Sequence, residues 1–331
     1  MPIFSKRKTA SDYIKRLADV LDLLDENDEE AFIQRLPDVD KYCLNLKDRL
    51  YNLEQSQRDS VDDETVAALL QYNLVRRILV AYPRFGFEAR KDIMACFTHL
   101  LGHTGFVQHF VNHPHYLSLL LQHYQDSSLA LHCGTFIREA IERSAYICEH
   151  LLTLSSVTLF FRYVNIESFD ISSDAFATLH SLLTSHKDVT ARFLTENYEA
   201  FFTGFNDLIL AENYVIRRSS LRLLAELLLD RSSFSIMTKF IGQLSNLRII
   251  MNLLLNRSRN IQYEAFHVFK IFVANPNKPD DISNVLSRNS QRLIKFLENF
   301  HCDGEDQLEE EVQLLIDEIN TLSNEEQSES E

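Results

Sequence analysis

Hydrophobic residues recur with a helical period along most of the chain. The segment DDETVAALLQYNLVRRILVAY, residues 62–82, places acidic residues before an apolar face, as the first turn of a helix favours. RKDIMACFTHLLG, residues 90–102, has the same spacing and ends on a glycine. Pro83, Pro114 and Pro276 fall between such segments, where proline interrupts no helix. The pattern predicts a chain built of successive helices.

Three of these segments repeat with a longer period. SSDAFATLHSLLTSH (172–186), RSSLRLLAELLLDR (218–231) and QYEAFHVFKIFVANP (262–276) align at an offset of about 45 residues. A repeat of about 40–47 residues made of two or three helices is typical of armadillo and HEAT arrays, whose units stack because none buries its apolar face alone. The sequence therefore predicts an all-α, armadillo/HEAT-like right-handed superhelical solenoid of about six to seven repeats. We expect one domain over residues 1–322.

The repeat also predicts which side chains line up outside the core. Three rows follow from it: Phe169, Tyr214 and Arg259; Ser173, Arg218 and Tyr263; Ala177, Arg222 and His267. A solenoid presents such rows as one concave surface, and arginine and tyrosine are enriched at binding hot spots. The alternative is a set of surface salt bridges worth about 0–1 kcal/mol each. We favour a partner-binding ridge, in which His267 is a surface residue and not a catalytic base.

Composition supports helices and limits the chemistry. The chain has only 7 glycines and 6 prolines in 331 residues, too few for the turns of a large sheet. Its five cysteines are scattered without a CxxC pair, which is typical of buried thiols in a reducing compartment. The N-terminal stretch contains no apolar run of signal-peptide length, and no long apolar span occurs. We expect a cytoplasmic protein with no membrane insertion.

The net charge of −15 is concentrated at the C-terminus. Residues 303–331 contain 12 acidic and no basic side chains, whereas residues 1–302 contain 33 basic and 36 acidic ones. Apolar residues at helical spacing (Val312, Leu315, Ile316, Ile319 and Leu322) predict a capping helix over 306–322. Residues 323–331 are expected to be a disordered acidic tail.

The histidines are the strongest candidates for a metal site. His99 and His103, spaced four apart, would share one helix face, and His109, His113 and His115 follow closely. The HExxH pattern of zinc hydrolases is absent, so packing or surface roles are favoured over a metal hydrolase. Phosphate-binding GxGxxG and GxxxxGK[ST] loops and the GxSxG motif are also missing.

A calcium loop is rejected for a geometric reason. Asp25, Asn27 and Glu29 imitate the first ligands of an EF-hand. The sixth position is Glu30, where the sharp turn requires glycine, and the twelfth is Leu36, where a bidentate glutamate is required. We predict no metal, no cofactor and no catalytic residue.

Three segments carry a resemblance to a known family. RYVNIESFDISSDAFATLHSLLTSHK, ENYVIRRSSLRLLAELLLDRSSFSIMTKFI and SRNIQYEAFHVFKIFVANPNKP resemble the mouse protein-25 family, also called calcium-binding protein 39. The resemblance is strong over residues 130–300. It implies a non-catalytic, armadillo-like scaffold that binds germinal-centre-class protein kinases or the pseudokinase STRAD and holds the kinase active. A fungal or other lower-eukaryote member would serve polarity, morphogenesis or cell-separation signalling, with enrichment at spindle poles or division sites.

The resemblance also implies roles for individual residues. Phe169, Tyr214, Arg218, Arg222 and Phe234 match the family's kinase-contacting concave positions, and the repeat adds Arg259, Tyr263 and His267. Arg231, Met251 and Arg288 match a C-terminal pocket that takes a Trp-Glu-Phe tail from the pseudokinase. Arg222 and Arg288 stand where animal members have lysine, which keeps the charge but not its geometry.

The expected partner is thus a kinase fold, with this protein as a monomer in a heteromeric complex and no nucleic acid. Charge reversal at Arg218 is expected to abolish binding without unfolding the protein. The alternative is an armadillo-type transport adaptor for basic peptides. That function needs acidic, tryptophan-rich grooves, whereas this chain has no tryptophan and its predicted ridge is basic.

Overall fold

The protein is built of α-helices. The computed structural model describes residues 8–52, 55–300 and 306–328, and no strand occurs in these ranges. The chain divides into two compact units, Met1–Thr190 and Ala191–Glu331. The predicted all-α class is confirmed.

Eleven helices lie wholly within the described part of the first unit. They are α1 (Ala10–Asp25), α2 (Glu29–Tyr51), α3 (Gln55–Gln71), α4 (Leu74–Ala81), α5 (Phe87–Leu100), α6 (Thr104–Asn112), α7 (His115–Gln122), α8 (Ser127–Arg143), α9 (Ala145–Leu151), α10 (Leu154–Val164) and α11 (Phe169–Thr184). Side-chain caps set several of their first turns. Thr9 and Asp12 form a reciprocal capping box on α1, and Asp28 and Asp126 cap α2 and α8.

In the first unit, helices three apart in the chain order pack against each other. Helix α2 lies against α5, α5 against α8 and α8 against α11, while the intervening helices cover this row. Aromatic side chains fill the layers between them: the Phe97 ring lies 5.4 Å from that of Phe106 and 6.3 Å from that of Phe136. Three helices therefore form one repeat, as the sequence period predicts.

The second unit shows the same packing of every third helix within itself. After α12 (Lys187–Ile209), which is kinked at Asn197, it contains α13 (Tyr214–Leu229), α14 (Phe234–Ile241), α15 (Leu244–Leu254), α16 (Arg259–Val273), α17 (Asp280–Arg288), α18 (Ser290–Glu298) and α19 (Asp306–Ser328). Helix α13 packs on α16, and α16 packs on α19. The apolar stripe of α16, including Phe266, Phe269 and Phe272, is fully buried.

The structure corrects one predicted helix and extends another. Residues 62–82 do not form a single helix, because α3 ends at Gln71 and α4 begins at Leu74. Between them Asn73 adopts a left-handed conformation (φ 48°), which asparagine tolerates better than most residues and which interrupts the helical ladder. At the C-terminus, α19 continues to Ser328, beyond the predicted end at residue 322. None of the described helices combines the length and hydrophobicity that a membrane span requires.

Candidate partner-binding site

Helices α13 and α16 meet through two polar contacts that share one register. Asn260 donates a hydrogen bond from Nδ2 to Tyr214 Oη at 2.9 Å, and Arg218 donates from Nε to Glu264 Oε1 at 3.2 Å. In both contacts the partners are 46 residues apart, close to the predicted period of 45. The two helices therefore run in the same direction with matching turns side by side.

This register assembles most of the predicted ridge. We call the resulting surface the α13–α16 face; it consists of Tyr214, Arg218 and Arg222 on α13 and Arg259, Tyr263 and His267 on α16. The three arginines and Tyr214 are exposed, whereas Tyr263 and His267 are half-buried. Their two rings meet edge-on, with centroids 4.5 Å apart. His267 thus lies at the border between the core and the surface.

The polar contacts adjust the chemistry of the α13–α16 face. The hydrogen bond from Asn260 lowers the pKa of Tyr214, and the bond to Glu264 raises the pKa of Arg218. Arg218 bonds Glu264 through Nε and also interacts with the Tyr214 hydroxyl, so two neighbours fix the position of its guanidinium group. Since Glu264 is buried, reversing the charge of Arg218 would place two carboxylates together. The expectation that this change spares the fold is therefore revised.

The other two predicted concave residues begin helices α11 and α14. Phe169 belongs to the first unit, where it begins α11 and is 69% exposed. Phe234 begins α14 and is 67% exposed, but it lines a groove at the far end of α13 from Tyr214. At about 1.5 Å per residue, the length of α13 separates the groove from Tyr214 by roughly 20 Å.

The groove with Phe234 was not predicted from the sequence. This α14–α19 groove has a volume of about 730 Å³ and is bounded by the end of α13, by α14, by the end of α16 and by α19. Its lining residues are Leu229, Phe234, Met237, Thr238, Ile241, Lys270, Ile271, Ala274, Asn275, Pro276, Asn277, Glu311, Leu314 and Leu315. Besides Phe234, a sequence signal was Leu314, an apolar residue outside the predicted buried face of α19.

The three predicted tail-pocket residues do not line this groove. Arg231 is exposed in the short 3-10 helix after α13, Met251 is half-buried on α15, and Arg288 is the exposed last residue of α17. Their role in binding a Trp-Glu-Phe tail remains a prediction.

Two of the candidate histidines contact carboxylates of α3. His99 and His103 do not share a helix, because α5 ends at Leu100 and His103 caps α6. His99 Nε2 lies 3.0 Å from a carboxylate oxygen of Asp62, and His103 Nε2 lies 2.7 Å from one of Asp63. Across the described ranges, no group of three or more potential metal ligands is assembled.

Comparison with known proteins gives a consistent result over nearly the whole chain. A profile of the Mo25-like family matches residues 2–323. The chain is 38% identical over 334 residues to a human protein named calcium-binding protein 39-like, covering 97% of this chain and 98% of that protein. It is 34% identical over 329 residues to the Mo25-like protein of Schizosaccharomyces pombe, covering 97% and 99%.

Two more distant similarities were found. The conidiophore development protein of Emericella nidulans is 32% identical over 297 residues, covering 78% of this chain and 77% of that protein. A computationally designed armadillo repeat protein for modular peptide recognition aligns with a TM-score of 0.44 at 10% identity, covering 77% of this chain and 99% of that one. On the family profile and the near-complete alignments, this chain belongs to the Mo25-like family.

Proposed function

We propose that the protein is a non-catalytic scaffold that binds a protein kinase of the germinal-centre class, or a pseudokinase, and stabilises the active kinase conformation. The observation that carries this proposal is the α13–α16 face, where three exposed arginines and an exposed tyrosine lie on two packed helices. Membership of the Mo25-like family supports the scaffold role. The name of the Emericella relative is consistent with a role in morphogenesis.

The face has the chemistry of a protein-binding surface. Arginine and tyrosine supply large contact areas with hydrogen-bond donors, which is why they dominate binding hot spots. Asn260 and Glu264 restrain Tyr214 and Arg218 before any partner arrives, so part of the ordering cost of binding is already met. Arg222 and Arg259 are exposed and add positive charge to the face, which favours an acidic patch on the partner.

Activation follows from selective binding. A scaffold changes the active fraction of a kinase only if it binds the active conformation more tightly than the inactive one. A tenfold rise in the ratio of active to inactive kinase requires about 1.4 kcal/mol of differential binding free energy. No catalytic group of the scaffold is needed for this effect.

The test measures binding and activation together. Purified protein is titrated into candidate germinal-centre-class kinases, and kinase activity and affinity are recorded. The double variant Arg222→Glu/Arg259→Glu should lose at least about tenfold in affinity and the corresponding activation. Both residues are exposed, so its unfolding should match that of the wild type.

A charge-matched control removes the effect of net charge alone. Arg292→Glu on α18 changes an exposed arginine outside the α13–α16 face and should leave binding intact. Full activation by the Arg222→Glu/Arg259→Glu protein would refute this face as the kinase-binding site. An equal loss of affinity in the Arg292→Glu protein would show that the effect comes from net charge and not from the α13–α16 face.

A further inference from the structure

The α14–α19 groove exposes an unusual amount of apolar surface. Leu229, Phe234 and Leu314 come from three different helices, and their exposed fractions are 55%, 67% and 68%. Monomeric proteins rarely leave several large apolar side chains together in water, because burying each is worth about 1.5–3 kcal/mol. The buried residues Ile241 and Leu315 form part of the lining beside them.

The polar lining of the groove is largely self-satisfied. Lys270 Nζ lies 3.0 and 2.9 Å from the two carboxylate oxygens of Glu311, and these are the only charged residues that line the groove within the described chain. Because they neutralise each other, the interior offers no unpaired charge to a ligand. An apolar ligand surface therefore fits the interior better than a charged group.

Beyond the interior, the α19 side is acidic. Glu310 precedes Leu314 by four residues and Asp317 follows it by three, so both lie on the same side of α19 as Leu314. Both are exposed. The described part of α19 contains no lysine or arginine. Arg231, although close in sequence to Phe234, is not part of the lining.

We propose that the α14–α19 groove is a second docking site, which binds an apolar segment of another protein flanked by basic side chains. The apolar residues would cover Leu229, Phe234 and Leu314, while lysine or arginine would face Glu310 and Asp317. This partner chemistry is opposite to that of the basic α13–α16 face. The site thus goes beyond the proposed kinase binding and does not depend on it.

The volume is sufficient for such a ligand. About 730 Å³ lies within the usual range for ligand sites, roughly 300–1,000 Å³, and it accommodates several side chains of a short segment. Hydrophobic contact would supply most of the affinity, and the acidic residues would select the charge of the flanks.

The experiment uses the full-length protein and two synthetic peptides. Both peptides carry leucine and phenylalanine at identical positions; one has lysines around them and the other has glutamates. Fluorescence anisotropy should show at least about tenfold tighter binding of the lysine peptide, with affinity falling as salt is raised. Equal affinity for both peptides, or no binding of either, would overturn the proposal.

Substitutions then locate the binding. Ala274→Trp places a large side chain in the groove, whereas Leu255→Trp places one at another exposed residue that likewise ends a helix. We expect Ala274→Trp to lower the affinity for the lysine peptide at least about tenfold and Leu255→Trp to leave that affinity unchanged. Loss of affinity in both proteins, or in neither, contradicts binding in the groove.

A charge variant and a mass measurement complete the test. Glu310→Lys should lower the affinity for the lysine peptide and raise the affinity for the glutamate peptide. The free energy of unfolding should not change, because Glu310 is exposed. Sedimentation of the wild type should show a monomer. Self-association that Ala274→Trp abolishes would identify a second copy of the chain as the occupant and overturn the proposal. Kinase activation by the Ala274→Trp protein is measured in parallel and should equal that of the wild type. This measurement separates a failure of the groove proposal from a failure of the proposed kinase binding by the α13–α16 face.

Discussion

Arg218 and Glu264 form an ion pair in which the acid is buried and the base is accessible. The side chain of Glu264 is 10% exposed and that of Arg218 is 45% exposed. Arg218 Nε lies 3.2 Å from Glu264 Oε1. The same arrangement joins α2 to α5 through Lys47 and Asp92. In each case a base on one helix reaches a more buried acid on the next helix of the row. Arg218 therefore holds two repeats together as well as presenting a binding surface.

The dual role predicts different stability effects for two neighbouring arginines. Arg218→Glu should lower the free energy of unfolding by about 1–3 kcal/mol, because the buried carboxylate of Glu264 loses its partner and gains a like charge. Arg222→Glu should change it by less than about 0.5 kcal/mol, since Arg222 is exposed. Urea unfolding measures both. Partial recovery in Arg218→Glu/Glu264→Arg is the expected control, and equal stability of the two single variants would contradict the pairing.

Gly134 should tolerate no side chain. A Cβ atom there would lie 1.9 Å from Asp174 Oδ2 and 2.2 Å from Tyr124 Oη, two groups that are themselves hydrogen-bonded at 2.9 Å. Arg138 also pairs with Asp174 at 2.8 Å, so the carboxylate cannot move freely. Gly134→Ala should lower the free energy of unfolding by about 3 kcal/mol or more.

Thermal unfolding provides the comparison for this substitution. Gly242→Ala is the matched control, because the atoms nearest to its new Cβ would be the backbone oxygens of Thr238 and Lys239, at 3.3 and 3.5 Å. If the Gly134→Ala and Gly242→Ala proteins have the same melting temperature, the contact between α8 and α11 is looser than its geometry indicates.

A half-buried histidine predicts acid sensitivity. Burial, followed by repulsion from His113, lowers the pKa of His109 in the folded protein. Between the folded and unfolded pKa values the unfolded chain binds more protons, so stability falls as the solution is acidified from about pH 7 to about pH 5. The melting temperature of His109→Gln should depend less on pH over this range. An identical pH dependence in wild type and variant would exclude a contribution from His109.

The buried thiols should be unreactive in the folded protein. Burial raises the pKa of Cys133 and of Cys148 to about 12, and it also raises those of Cys43 and Cys96. Since the thiolate is the reactive form, alkylation by iodoacetamide near pH 8 should be slow until the protein unfolds. Cys302 lies outside the described residues, so the measurement uses a Cys302→Ser protein. Rapid modification of that folded variant would contradict the burial.

Much of the architecture follows from local patterns. The period of 45 residues predicted α11, α13 and α16, because apolar residues at helical spacing must face a core wherever the repeat recurs. It also predicted which turns of α13 and α16 lie side by side. The break at Asn73 was missed, since apolar spacing continues through it and the left-handed backbone has only a weak sequence signal.

The chain by itself thus determined the helical class, the repeat and the composition of the α13–α16 face, because each depends on periodicity within a helix or between equivalent helices. Tertiary structure alone decided that Arg218 pairs with Glu264 and that His99 and His103 are separated. It also brought Leu229, Phe234 and Leu314 together in one groove. These relationships join residues that are distant in sequence, and their geometry depends on how whole helices pack, which no local pattern encodes.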